Sequence, residues 1–281
     1  MALDQVDVDD ENYGKEKNMS FLDHLEELRW NIIRSVIAII VGFIGSFLFP
    51  DFIFDTVILG PKRVDFPTYQ LLCFISQNIG IGATFCVEVI DLPLQNTVVM
   101  GIFLTHLKIS FVAGLIIAFP YIIYEIWKFV SPALNKGEKK HARGIIFFCS
   151  LLFFMGVSFG YFVIIPFCVN FFANYNVIGG IQNMPRLDSY ISFVTSIVLA
   201  AGFMFEMPIF AYFFSKIGIL TPQLLKNYRK HAVVSMLLIS ALVTPPDVFS
   251  QILLSLPLYV LYETSILISA RVNKKYEEEY G

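Results

Sequence analysis

Long apolar runs alternate with short polar connectors along most of the chain. The runs at 30–49, 103–126, 145–172 and 190–214 each reach the roughly 20 residues that a helix needs to cross a bilayer. Two shorter apolar segments follow, 232–243 and 252–270, joined through Thr244-Pro245-Pro246-Asp247. At about 1.5 Å per residue the first of them covers roughly 18 Å, against about 30 Å of hydrocarbon. Ahead of the first run, Phe21, Leu25, Leu28 and Ile32 recur at steps of three and four, the period of an amphipathic helix. Ser20 supplies an N-cap with Asp23 three residues later, a capping box with a shorter acid. Asp23, Glu26 and Glu27 occupy the other side. Such a helix lies along a membrane surface and presents carboxylates to something cationic; the alternative is a solvated acidic turn ahead of a hydrophobic helix.

Between the runs, residues 50–99 form a long extramembrane segment carrying Pro50, Pro61, Pro67 and Pro93. Its apolar pieces at 71–75 and 85–90 are too short to span, so the segment is expected to fold as a small cap loop. Residues 174–189 form a second external loop with Gly179-Gly180 and Pro185. Pro120, Pro166, Pro208 and Pro257 stand inside apolar segments. Each deletes a helix hydrogen bond and kinks its helix, which membrane helices tolerate where neighbours satisfy the freed groups. Kinked helices of this kind pack into a concave bundle. The expected architecture is therefore an all-α integral membrane protein of six transmembrane helices, the fifth and sixth short. Residues 1–18 read as a disordered acidic tail, 19–270 as the membrane domain and 271–281 as a second tail.

Composition agrees with this pattern and adds orientation. Of 281 residues, 56% are hydrophobic and only 15% charged, with a mean hydropathy of +0.68; soluble domains carry about 25% charged residues. The acid-rich start is the opposite of the basic n-region of a secretory leader. Lys15, Lys17 and Arg29, the 128–143 connector, the 216–230 connector and the final tail together hold fifteen Lys and Arg on one side of the membrane. Only Lys62, Arg63 and Arg186 fall on the other. The positive-inside rule then puts both termini in the cytoplasm. Arg34, one turn inside the first run, can snorkel to the surface.

Candidate chemistry is sparse. There is no phosphate-binding loop, and Gly80-Ile81-Gly82 lacks both the third glycine and the setting of a dinucleotide site. His24, His106, His141 and His231 are scattered without metal-ligand spacing. Neither enzyme, cofactor, metal nor nucleic-acid chemistry is expected. Glu206 is the sharpest single signal: a carboxylate inside a span faces a cavity, pairs, or bonds a neighbouring helix. Glu263 raises the same question in the last segment. Glu206 and Glu263 also admit a different reading, a proton-coupled small-solute carrier, although no inverted repeat accompanies them. Asp247 can cap the helix after the Pro-Pro turn. Cys73 and Cys86 share an external loop, where a disulfide is one reading and two free thiols the other.

Four stretches together carry a resemblance. Phe21-Leu22-Asp23-His24-Leu25-Glu26-Glu27-Leu28-Arg29 precedes the first run, and Trp127-Lys128-Phe129-Val130-Ser131-Pro132-Ala133-Leu134 closes the second. Phe205-Glu206-Met207-Pro208 lies in the fourth, and Leu242-Val243-Thr244-Pro245-Pro246-Asp247-Val248-Phe249-Ser250-Gln251 joins the last two. In this order and at these positions they resemble the TatC family, the multispanning core of the twin-arginine (Sec-independent) protein translocase of the bacterial cytoplasmic membrane. The resemblance covers 19–270, apart from the longer 50–99 loop with Cys73 and Cys86. It implies a receptor for twin-arginine signal peptides of folded cargo, driven by the proton-motive force and assembled with single-span TatA and TatB subunits into an oligomer among membrane lipids. By the same resemblance Glu27 and Glu138 recognise the paired arginines, with Phe129, His24 and Arg29 on the same surface. Glu206 contacts partner helices, and Pro245, Pro246 and Asp247 form a periplasmic turn.

Overall fold

The computed structural model describes residues 21–79, 86, 87, 89, 90, 92–130, 142–175, 184–243 and 248–280. Helix α1 runs Phe21–Phe47. A π-helical turn at Phe52–Ile58 and a 3-10 turn at Gly60–Lys62 lead to α2, Pro67–Asn78. Helix α3 spans Gly101–Val130. Helix α4, Ala142–Phe159, passes through a π turn at Gly160–Ile164 into α5, Ile165–Asn174. Helices α6, Leu187–Phe205, and α7, Met207–Lys216, are separated at Glu206. The short α8, Pro222–Asn227, precedes α9, Arg229–Val243, and α10, Val248–Tyr280. Among the described residues the one strand-like feature is a bridge between Gln95 and Arg186.

Among the described residues, five helical stretches are long and apolar enough to cross a membrane: His24–Phe47, Gly101–Val130, Gly144–Asn174, Leu187–Lys216 and Gln251–Lys274. Helix α9, which carries the apolar segment expected as the short fifth span, has 15 residues, about 22 Å. The expectation of a short sixth helix is corrected: α10 has 33 residues. Apolar character fades after Ala270, but Lys274, Lys275 and the glutamates at 277–279 are good helix formers. The helix therefore continues through the segment read as a tail, its backbone bonds satisfied internally.

Packing is by pairs. Helix α1 lies along α3, α6 packs on α3 and α4, and α10 packs on α7 and α9. Two glycine crossings set the closest approaches. A Cβ on Gly114 of α3 would stand 2.5 Å from the Phe43 amide of α1, and one on Gly156 would stand 2.5 Å from the Ala201 carbonyl. Small residues let helix backbones meet where lipid offers no hydrophobic drive, and dispersion then rewards the contact. Phe153, Ile164, Ile191, Ile197 and Leu254 fill the interior around these crossings.

Pro166 shows how a broken hydrogen bond joins the cap to the bundle. Its ring cannot supply an amide to the Phe162 carbonyl four residues earlier, and the helix widens into the π turn just before it. The Thr68 hydroxyl of α2 donates to that Phe162 carbonyl instead. One residue along, the Tyr69 hydroxyl lies 2.8 Å from the Pro166 carbonyl and 2.9 Å from that of Pro61. Burial pushes the pKa of this hydroxyl up, so it remains a donor. Tyr161 and Tyr190 donate to the carbonyls of Val57 and Ile58 at 2.7 and 3.0 Å. Cys73 of α2 is disulfide-bonded to Cys86. Leu187 N–H donates to Gln95 O at 2.9 Å, tying the first external segment to the start of α6.

Candidate polar site at the α1–α3 seam

The antiparallel α1–α3 pair brings the first two sequence motifs together. His24 stacks on Phe129 with ring centroids 4.2 Å apart and an interplanar angle of 12°. Further along, Arg34 reaches Glu125 at 3.8 Å, Gly42 meets Gly114, and Phe47 stacks on His106 at 4.2 Å. These pairs fix one register, in which Glu27 falls one turn inward from the His24–Phe129 stack. Glu27 is half-buried, and its Oε2 is shielded from solvent with no hydrogen-bond partner among the described residues. A carboxylate in that condition, beside a flat aromatic–imidazole surface, can accept from a further donor. A guanidinium suits it, with a planar donor fork for the carboxylate and a face that stacks on rings.

Arg29 does not join this seam. Its side chain is 64% exposed, pairs loosely with Glu26 at 3.4 Å and lies over the Trp30 ring. Glu138 and the turn residues Pro245, Pro246 and Asp247 lie outside the described residues.

Glu206 is placed elsewhere. Pro208 deprives the Met204 carbonyl of its usual donor, and the helix breaks at Glu206, whose own carbonyl accepts from Ile209 and Phe210 at 2.9 and 3.1 Å. The side chain is 5% exposed, with Oε1 unpartnered among the described residues and the Cys149 thiol hydrogen-bonded to the carboxyl group. Phe213, seven residues on and about 10 Å along the helix, tilts against Trp127 at 5.4 Å. Glu206 therefore sits deeper than the His24–Phe129 stack. Glu263 is ion-paired with Arg229 at 2.7 Å and joins α10 to the short α9. That pairing links the two helices through Glu263 Oε2, while its Oε1 is buried and unpartnered among the described residues. Among the described residues no group of three His, Cys, Asp or Glu could hold a metal ion.

Two further residues at the seam escaped sequence reasoning. Glu125 is 2% exposed; Tyr121 donates to its Oε1 at 2.7 Å, while its Oε2 has only the Arg34 guanidinium at 3.8 Å, too long for a hydrogen bond. Asn31 is 4% exposed with both its amide nitrogen and oxygen unpartnered among the described residues. The argument that singled out Glu206, an acid inside an apolar run, applies equally to Glu125 in Ile122-Ile123-Tyr124-Glu125-Ile126.

Comparison with known proteins places this geometry in a family. The family model described as Sec-independent protein translocase protein (TatC) matches residues 23–257. A Blattabacterium protein (Periplaneta americana subspecies) named Sec-independent protein translocase protein TatC is 40% identical over 262 residues, covering 92% of this chain and 98% of its own. The Helicobacter pylori J99 protein of the same name is 36% identical over 250 residues, covering 89% of this chain and 88% of its own. A crystal structure of the twin arginine translocase receptor TatC in DDM superposes with a TM-score of 0.69 at 32% identity, over 88% of this chain and 99% of that one. The four motifs, the helical architecture and these matches agree, and the chain belongs to the TatC family of Sec-independent protein translocase proteins.

Proposed function

We propose that this chain is the signal-peptide receptor and assembly core of a twin-arginine translocase, with six spans and both termini in the cytoplasm of a bacterium. The observation that carries the reading is the His24–Phe129 stack, which unites the first two motifs beside the half-buried Glu27. The paired arginines of a signal peptide dock there, with Glu27 and Glu138 as carboxylate acceptors and the stacked rings as a platform for guanidinium faces. The hydrophobic part of the signal then lies along the concave side of the bundle. There Glu206, buried at the α6–α7 break, offers its free acceptor to single-span TatA- and TatB-type helices. Export draws on the proton-motive force, and the charge distribution favours the cytoplasmic side for docking.

A photo-crosslinking amino acid at Phe129 tests the docking surface in membranes. The expected outcome is an adduct with a twin-arginine signal peptide that a twin-lysine peptide does not form. Equal adducts with both peptides, or none with either, would contradict the proposal.

A further inference from the structure

The receptor reading uses Glu27 and leaves a second acceptor on the same seam unused. Glu125 is almost fully buried, yet its Oε2 lacks a hydrogen bond among the described residues. In the antiparallel register, Asn31 falls level with it, also buried and with an unpartnered amide. The cation opposite them, Arg34, is 44% exposed along its side chain and stops at 3.8 Å. The Arg229–Glu263 pair closes to 2.7 Å through Oε2; the Arg34–Glu125 pair, at 3.8 Å, does not reach hydrogen-bond distance.

Resting on the receptor reading, we infer that Glu125 and Asn31 form a second guanidinium site, for which Arg34 is a loosely held internal stand-in. An arginine of the signal peptide displaces the Arg34 guanidinium and makes the close contact to Glu125 Oε2 that Arg34 fails to make. The Asn31 amide oxygen accepts a further N–H. Asn31 lies one helical turn inward from Glu27, about 6 Å along α1, within the reach of two neighbouring arginine side chains. Glu125 then adds a third carboxylate to Glu27 and Glu138, and it favours arginine because an ammonium cannot bridge two acceptors in a plane. Arg34 leaves toward solvent, where its charge is hydrated, so no unpaired charge is left buried.

The test is a double-mutant cycle on full-length protein in nanodiscs, titrated with labelled twin-arginine and twin-lysine signal peptides. Glu125→Gln should weaken the arginine peptide about tenfold while Glu27 remains intact. Arg34→Gln should bind it about threefold tighter or better, because the internal competitor is gone. The double variant should bind like Glu125→Gln, since the gain from removing Arg34 requires the site it occupied. Thermal unfolding of each variant identifies a misfolded one, and Asn31→Asp, which keeps an acceptor, then serves as the second probe and should bind at least as tightly as wild type. Unchanged affinity in folded Glu125→Gln, or a gain from Arg34→Gln that persists without Glu125, would overturn the inference while leaving the receptor reading in place. Wild-type protein that fails to prefer the arginine peptide would overturn both.

Discussion

At the scale of single residues, the informative side chains are those whose polar atoms lack partners in a dry place. A buried acceptor left unmatched costs about 1–3 kcal/mol, so one that persists has a ligand or a coupled partner to meet. Glu206 is a candidate for such a group, with Oε1 unpartnered among the described residues at the α6–α7 break. We predict that Glu206→Ala lowers crosslinking to single-span partner subunits severalfold while signal-peptide affinity stays within about twofold. Equal yields from wild type and variant would sink the assignment of this face to partners. The linear motifs made Glu27 and Glu206 legible before any coordinates, because their meaning lies in their neighbours along the chain. Glu125 carries the same signal as Glu206, an acid inside an apolar run, whereas Asn31, a polar residue after Trp30, looks ordinary in sequence; only the α1–α3 register sets the two level with each other, each with atoms unpartnered among the described residues.

Among the elements, proline and glycine decide the geometry. Pro166 was legible as a kink, but its consequence was not: the freed Phe162 carbonyl is taken by Thr68, ninety-four residues away in sequence. Tyr69 makes the stronger prediction, because its single hydroxyl proton lies within reach of two carbonyls in a buried place. Tyr69→Phe should destabilise the protein by about 1–3 kcal/mol, seen as a lower unfolding temperature in detergent. An unchanged midpoint would mean that water replaces the hydroxyl. Gly114 controls the α1–α3 crossing, where any Cβ meets the backbone of Phe43 and Gly42 at 2.5–2.9 Å. Gly114→Leu should spread the two helices at a cost of roughly 1–3 kcal/mol and weaken twin-arginine peptide binding from a site the peptide never touches. Full affinity in that variant would separate peptide recognition from the α1–α3 register. The length of α10 exceeds the apolar segment because hydropathy ends near Ala270 whereas helix propensity does not: Lys and Glu in the last turns are good helix formers.

Across the whole molecule, three polar features stand at different places along one bundle. The two external segments are tied together by the Gln95–Leu187 bond and fastened to α5 through Tyr69 and Thr68. The buried Glu206 break lies within the bundle, and the His24–Phe129 seam lies at the end where α1 begins and α3 finishes. The distribution of Lys and Arg predicts that this end is cytoplasmic. A cysteine placed at Lys17 should resist a membrane-impermeant thiol reagent in intact cells, while one at Lys62 should react. The reverse pattern would invert the topology and put the seam on the wrong side for cytoplasmic cargo.

The central claim is that carboxylates at this seam read the paired arginines. Its most direct test is the affinity of purified protein in nanodiscs for twin-arginine and twin-lysine signal peptides, beside the Glu27→Gln, Glu138→Gln double variant. The account predicts at least about tenfold preference for the arginine peptide in the wild type, reduced severalfold in the variant. Equal binding of the two peptides by wild-type protein, or a preference undiminished by loss of both carboxylates, would contradict it.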